Sequence, residues 1–293
     1  MTKRRYTWDD IVYMVVYNFV IVFIAVITLY PIIFVVSASI SDPIEVGKGT
    51  VILLPKGINF TSYIHLIGTE DVWVGYRNTL IYTVGGVITS MFCTVTTAYS
   101  LSKKHLVGGR FFVFMIAFTM WFSGGLIPTY LVIRDLGLID SMWSQILPGL
   151  ISPFYFVLMK TYFSSIPQEM EESAKMDGAN DIVVLVKLYL PLSIPSLVTI
   201  GLYYAVIKWN AWFHAMIYLN DSSKHPLQLF LRQILILSRM TEETDMVLKS
   251  SNDISPETLQ YATIVIAILP MMIVYPFIQK YFEKGVMVGS IKG

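Results

Sequence analysis

The sequence predicts an all-α membrane protein of six transmembrane helices with both termini in the cytoplasm. Three observations predict it. Charged residues make up only 14% of the 293-residue chain, against about a quarter in a soluble domain. The deficit is concentrated in long stretches without Asp, Glu, Lys or Arg, which are built for lipid as solvent. Those stretches lack the strict alternation of a membrane β-strand, so helices are left to satisfy the backbone.

In chain order the spans are read at about 11–40, 78–101, 111–133, 141–159, 188–219 and 258–279. Each is close to or beyond the roughly 20 apolar residues needed to cross a bilayer core. The first follows Lys3, Arg4 and Arg5. Its apolar run exceeds the ~7–15 residues of a signal-peptide core, so it reads as a retained membrane helix. The first and fifth are long enough to tilt or project from the membrane. Pro128, Pro148, Pro153, Pro270 and Pro276 fall within spans; each can kink a helix, and both static packing and hinge motion accommodate them.

Orientation follows from the basic residues. Lys3, Arg4, Arg5, Lys103, Lys104, Arg110, Lys160, Lys175, Lys187, Lys280, Lys284 and Lys292 fall on one side. The other side holds Lys48, Lys56, Arg77, Arg134, Lys224, Arg232, Arg239 and Lys249, outnumbered there by acids such as Asp42, Glu70 and Asp71. Basic loops stay inside. The segments 41–77 and 220–257 are then outer loops, and 164–187 is a cytoplasmic loop.

Enzyme and metal motifs are missing. Cys93 is alone in an apolar stretch, His65, His105, His214 and His225 form no H-E-x-x-H, and no G-x-S-x-G occurs. Gly47-Lys48-Gly49-Thr50 lacks the upstream glycine of a phosphate loop, Asp42 standing there, and it lies on the outer side. No catalytic residue, metal, cofactor or nucleic acid is expected.

The cytoplasmic segment Ser165–Asp181 reads as helix, turn, helix. Ser165 is a plausible N-cap, with Pro167 and Gln168 in the first turn. Glu171 and Lys175 are an i,i+4 pair in the favourable order. Gly178 can adopt a positive φ and stop the first helix, and Asn180 or Asp181 can cap the second. Met170, Ser173, Ala174 and Asp177 share a small, weakly apolar face suited to docking in a protein groove. An amphipathic helix lying at the membrane surface is the plain alternative.

Glu172-Ser173-Ala174, Gly178 three residues on, and Leu188-Tyr189-Leu190-Pro191 nine further resemble the "EAA" signature of binding-protein-dependent ABC importer permeases. Ser173 stands for the first Ala and Leu188 for Ile. Leu136-Gly137-Leu138-Ile139, Leu147-Pro148-Gly149, Trp209-Asn210 and the tail Lys284–Gly293 extend the likeness over nearly the whole chain. It is most similar to the second permease of the maltose-type carbohydrate importers, in a branch handling complex oligosaccharides. The resemblance implies a type I ABC importer permease fold with the ATPase on a separate subunit. It implies a multi-pass protein of the bacterial cell membrane, in lipid. Its partners would be a second homologous permease subunit, a cytoplasmic ATPase dimer, an extracytoplasmic solute-binding protein and an oligosaccharide. Glu169, Glu172, Ser173, Ala174, Asp177 and Gly178 would couple to the ATPase. The tail would reach toward the ATPase dimer, and the outer loop 220–257 toward the binding protein.

For the substrate pathway the candidates are Tyr204, Lys208, Trp209 and Asn210. Lys208 is the ionisable residue well inside a span, and such residues usually face a bundle interior or wet cavity. It can contact substrate, or it can snorkel or pair with a neighbouring subunit. Tyr204 and Lys208 are an i,i+4 pair and can line one cavity face with Ala211. Tyr203, Trp212 and Tyr218 suit sugar rings and the membrane interface equally. An ABC permease for another solute, such as a polyamine, phosphonate or peptide, is the nearer alternative. An ion-coupled transporter would need acids within the spans, and there are none. An intramembrane transferase or protease would need polar catalytic groups clustered at one depth. In the outer loop, Leu227–Leu231 is expected to pack on the permease itself. A short helix over Gln233–Ser238 and an acidic tip Glu242-Glu243-Thr244-Asp245 are expected to follow it.

Overall fold

The computed structural model describes residues 8–103, 105–244 and 255–290, and no strand occurs among them. In order, the helices are α1 (Trp8–Ser39), α2 (Pro43–Gly47), α3 (Thr61–Gly68), α4 (Glu70–Ser102), α5 (Gly109–Phe118), α6 (Leu126–Asp135) and α7 (Trp143–Ile146). There follow α8 (Pro153–Ser164), α9 (Gln168–Met176), α10 (Asp181–Val184), a π-helical turn (Leu185–Tyr189) and α11 (Leu190–Leu192). The chain continues with α12 (Ile194–Trp209), α13 (Phe213–Tyr218), a 3₁₀ turn (Ser222–Lys224), α14 (Leu227–Thr244) and α15 (Pro256–Ser290). Two compact units divide them, Met1–Thr69 with Leu231–Ile268 and Glu70–Phe230 with Leu269–Gly293.

In the first unit α1 is apolar on every side and exposed over most of its length, as suits a helix facing lipid or another subunit. Its C-terminal end is the packed part. Ala38, Val46 and Val51 form a small core with Phe34 and Tyr261 against it. Ser37 Oγ donates to Leu53 O at 2.6 Å, and Ser41 Oγ accepts from Lys56 N at 3.1 Å. The part of the expected 41–77 loop up to Tyr63 is thus folded back on the end of α1 and carries α2 and the start of α3, while Glu70 onward belongs to α4.

The second unit is built on α4, against which α8 and α12 pack. Thr79, Thr83, Gly86, Ser90, Thr94 and Ala98 recur every three to four residues along α4 and are buried. Small residues at that spacing let helix backbones approach closely in a membrane. The core groups Val95, Tyr99, Phe156, Met159, Phe163, Ile200 and Tyr204. Tyr204 ties three elements together: its hydroxyl accepts Ser152 N–H at 2.9 Å and shares a hydrogen bond with Thr94 Oγ1 at 2.8 Å. Asp140, at φ 57°, receives Lys224 Nζ on Oδ2 (2.7 Å) and the amides of Asn220 and Asp221 on Oδ1. The Lys224 hydrogen bond, then that of the Asp221 amide, holds the Asp140 carboxyl below its ordinary pKa. Leu227 N–H donates to Thr79 Oγ1, and Leu229 packs with Tyr82, Ala215 and Leu219.

By length and composition three described helices can cross a membrane: Trp8–Ser39, Glu70–Ser102 and Pro256–Pro276. A fourth follows if Asp181–Leu192 and Ile194–Trp209, bent by 85°, count as one span. Elsewhere the expected continuous spans are interrupted. The stretch 111–133 is α5 and α6, parted at residues 119–125, where Gly124 and Gly125 precede Pro128 in the first turn of α6. The stretch 141–159 is α7 and α8, parted by Leu147-Pro148-Gly149, with Pro153 opening α8. The stretch 188–219 starts earlier, at Asp181, bends at Ser193 between Pro191 and Pro195, and breaks again after Trp209. Proline lacks the N–H that continues a helical ladder, which fits the breaks at Pro148 and beside Pro191 and Pro195, whereas the break after Trp209 has no proline beside it. Pro270 and Pro276, with Pro31, do lie inside helices. The short helix expected at 233–238 is part of the longer α14. Of the acidic tip, Asp245 lies outside the described residues, as do Lys3, Arg4, Arg5, Lys104 and the last residues of the tail.

Replacing Tyr204 by Phe keeps the ring and removes the hydroxyl, leaving Ser152 N–H and Thr94 short of a buried partner. The variant is expected to lose roughly 1–2 kcal/mol, read as a lower melting temperature in detergent. An unchanged melting temperature would show that the hydroxyl does not tie α4, α8 and α12.

Candidate functional site

The segment from Ser165 to Asp181 folds as helix, turn, helix, and its anchor is a carboxylate. α9 opens with Pro167 at the N-cap, not Ser165, whose hydroxyl instead donates back to Tyr162 O at 2.7 Å. Gly178 lies at φ +86°, a conformation that side chains with a Cβ rarely adopt, and ends the helix. Asn180 Oδ1 accepts Val183 N–H at 2.9 Å and caps the next helix.

Within α9, Glu171 is buried. Its Oε2 accepts from Lys103 Nζ and from Tyr189 Oη (2.8 Å), and its Oε1 pairs with Lys175 Nζ at 3.0 Å. Lys175 also reaches Asp181 Oδ1 at 3.1 Å. Lys103 Nζ lies 3.9 Å from the centroid of the Tyr99 ring and 4.4 Å from that of Tyr189, positions in which the ring faces attract a cation. Tyr99 in turn donates to Asp181 O at 3.1 Å. One carboxylate therefore joins α9 to the end of α4 and to the π-helical turn. Burial works to raise the Glu171 carboxyl, but hydrogen bonds from Lys103, Tyr189 and Lys175 outweigh it and hold it down at about 2.

The other expected residues divide between two faces. Glu169, Glu172, Ser173, Asp177 and Gly178 are exposed, with Met170 and Met176 beside them. Glu172 accepts a hydrogen bond from Gln168 at 2.9 Å. Ala174 is turned the other way and packs against the core, so it does not share the exposed face with Met170, Ser173 and Asp177. Glu171 as the anchor was not anticipated. The i,i+4 pair with Lys175 is readable in sequence, but Lys103 is 68 residues away and no local pattern points to it.

The four pathway candidates are also not one surface. Lys208 Nζ donates to the carbonyls of Gln145 and Ile146, both at 3.1 Å, and lines a cavity with Thr79, Tyr82, Gln145, Ala211 and Pro226. Tyr204 is outside that lining, in the helical core. Trp209 is buried with its ring 6.4 Å from that of Tyr76, and Asn210 Nδ2 donates to Val206 O of its own helix.

Residues 110–288 match the model of the binding-protein-dependent transport system inner membrane component family. The chain belongs to that family. It is 42% identical, over 96% of its own length and 98% of the relative's, to the polygalacturonan/rhamnogalacturonan transport system permease protein YtcP of Bacillus subtilis. It is 41% identical to Protein LplC of the same organism, over 92% of its own length and 91% of that protein's. A crystal structure of a bacterial ABC transporter involved in the import of the acidic polysaccharide alginate contains a chain 42% identical to it. That chain aligns over 96% of this one and 100% of its own length with a TM-score of 0.87. The fold is the type I ABC permease fold. The permease is a membrane component, not itself an enzyme, and it works with an ATPase, a second permease and a binding protein.

Replacing Glu171 by Ala is expected to cost about 3 kcal/mol, because Lys103 is left without its counter-charge among aromatic rings. A Glu171→Leu, Lys103→Met pair, which removes both charges, should recover most of it. An equal loss in the pair would show that the ion pair is not the anchor. A carboxyl held at about 2, against an ordinary value of 4.5, stabilises the fold fully above about pH 4.5 and loses its effect as pH falls toward 2. The melting-temperature difference between wild type and Glu171→Gln should therefore stay constant from about pH 7 to 5 and narrow only below about 4.5.

Proposed function

We propose that the permease forms half of the translocation path of a carbohydrate importer in the bacterial cytoplasmic membrane. Its cargo is an oligosaccharide delivered by an extracytoplasmic binding protein. Its partners are a second, homologous permease and a cytoplasmic ATPase dimer. The relatives named for polygalacturonan, rhamnogalacturonan and alginate support the cargo class, as does a relative from Halalkalibacterium halodurans named for arabinooligosaccharides, 23% identical over 92% of this chain.

The observation that carries the mechanism is the exposed α9–Gly178 turn, braced from behind by Glu171. In this reading Glu169, Glu172, Ser173, Asp177 and Gly178 face the ATPase, and Ala174 seats the helix on its own core. A brace of this kind lets a movement of the docked helix travel as a rigid body to α4 and to the bend before α12. Span positions 11–40, 78–101, 111–133, 141–159, 188–219 and 258–279 remain part of the proposal, with several crossings made by interrupted helices. Non-helical backbone at membrane depth is tolerated where it is buried in protein or lines a wet cavity.

Co-expression with a second permease and an ATPase should yield one complex. In proteoliposomes its ATP hydrolysis should rise with sugar-loaded binding protein. Gly178→Asp, which forces a Cβ and a charge onto a φ of +86°, should leave insertion intact and abolish uptake. Glu172→Lys should weaken the stimulation by reversing a surface charge. Full uptake by Gly178→Asp would remove the turn from the coupling path.

A further inference from the structure

We propose that Lys208 is the contact for a carboxylate on the cargo, so that the oligosaccharides this permease prefers carry uronic acid residues. The inference rests on the oligosaccharide reading above and adds the charge of the cargo and the residue that reads it.

Four observations meet at this side chain. Lys208 lies near the C-terminal end of α12, one residue before the helix breaks, and its amine reaches the end of α7, where the neighbouring span is also interrupted. Two interrupted helices at one place within a membrane protein mark backbone that faces a cavity or another protein layer. Lys208 lines the cavity there together with the hydroxyl-bearing Thr79 and Tyr82 and the amide of Gln145. The path of its stem is also kept open, since a Cβ at Gly86 would stand 3.1 Å from Lys208 Cδ and Cε.

The partners of the amine are informative in kind. Among the described residues no carboxylate lies within ion-pair distance of Lys208. It has two neutral carbonyls, of Gln145 and Ile146. Carbonyls satisfy the hydrogen-bonding capacity of a lysine but supply no counter-charge, and a buried basic group is strongly favoured when a carboxylate arrives. A permanent acid beside it would have made the site a closed ion pair. Two backbone oxygens hold it without neutralising it, so a ligand that draws the amine away must offset the two carbonyls it leaves, which a charged carboxylate can do. A neutral sugar offers hydroxyls that replace the carbonyls without gain, whereas a uronate offers charge as well.

The test uses the complete importer in proteoliposomes with saturating binding protein. The cargoes are trigalacturonate and the same trisaccharide with its carboxyls reduced to alcohols. Lys208→Met retains the stem without the charge, and Lys208→Arg retains the charge. Lys208→Met is expected to lower the acidic-to-neutral uptake ratio by about tenfold or more, the loss of one charge-assisted contact, while Lys208→Arg keeps most of that ratio. If Lys208→Met lowers both uptakes alike, or neither, Lys208 acts only in packing and the inference is overturned with the oligosaccharide reading intact. Import of the neutral trisaccharide but not the acidic one by wild type would overturn it in the same way. Failure of wild type to import any oligosaccharide tried, neutral or acidic, would instead remove the reading on which it rests.

Discussion

Backbone polar groups inside a bilayer have no water to turn to, and each one left unpaired costs several kcal/mol. That constraint organises this permease. It explains why the described residues are helical and why the breaks are not free-standing. Where α12 starts after the bend at Ser193, Tyr189 O accepts the Ser193 amide. Where α8 starts, the free Ser152 amide is taken by Tyr204. The carbonyls at the end of α7 are taken by Lys208. Two of these breaks are stabilised by a side chain from another element, so the interruptions also tie the bundle together.

A second consequence is the division of polar residues by role. On α4 the buried hydroxyls and glycine are spaced for close helix packing, and the aromatic residues of α8 and α12 fill the remaining space. Among the described residues the ion pairs that join segments far apart in sequence are Lys103–Glu171 and Lys224–Asp140, while Lys208 reaches carbonyls.

Much of this was legible in the chain. The apolar runs at 11–40, 78–101 and 258–279 fall in α1, α4 and α15, and Gly178 and Asn180 announced the turn that they make. The resemblance carried by Glu172-Ser173-Ala174, Gly178 and Leu190-Pro191 located the exposed loop. What was not legible depends on tertiary contact. The first span's Pro31 stays within a helix while Pro148 and Pro191 mark interruptions, a difference set by neighbours and not by proline itself. Tyr204 and Lys208 lie on one helical face by spacing, yet one enters the core and the other a cavity. Glu171 and Glu172 are adjacent carboxylates of identical chemistry. The one directed at Lys103 and Tyr189 is structural, and the one directed outward is free to meet a partner.

The π-helical turn at Leu185–Tyr189 gives the anchor a dependence on counting. A π turn accommodates one residue more than an α turn over the same length. Removing a residue there would restore an ordinary helix with its hydrogen bonds complete, so local stability would hardly object. The extra residue is absorbed within the turn, so the segments beyond it would keep their direction relative to α9. What a deletion would change is the side chain presented inside the turn, and Tyr189, its last residue, is the one that meets Glu171. Chains that drop or gain one residue in this stretch would have to rebuild the anchor with a different side chain.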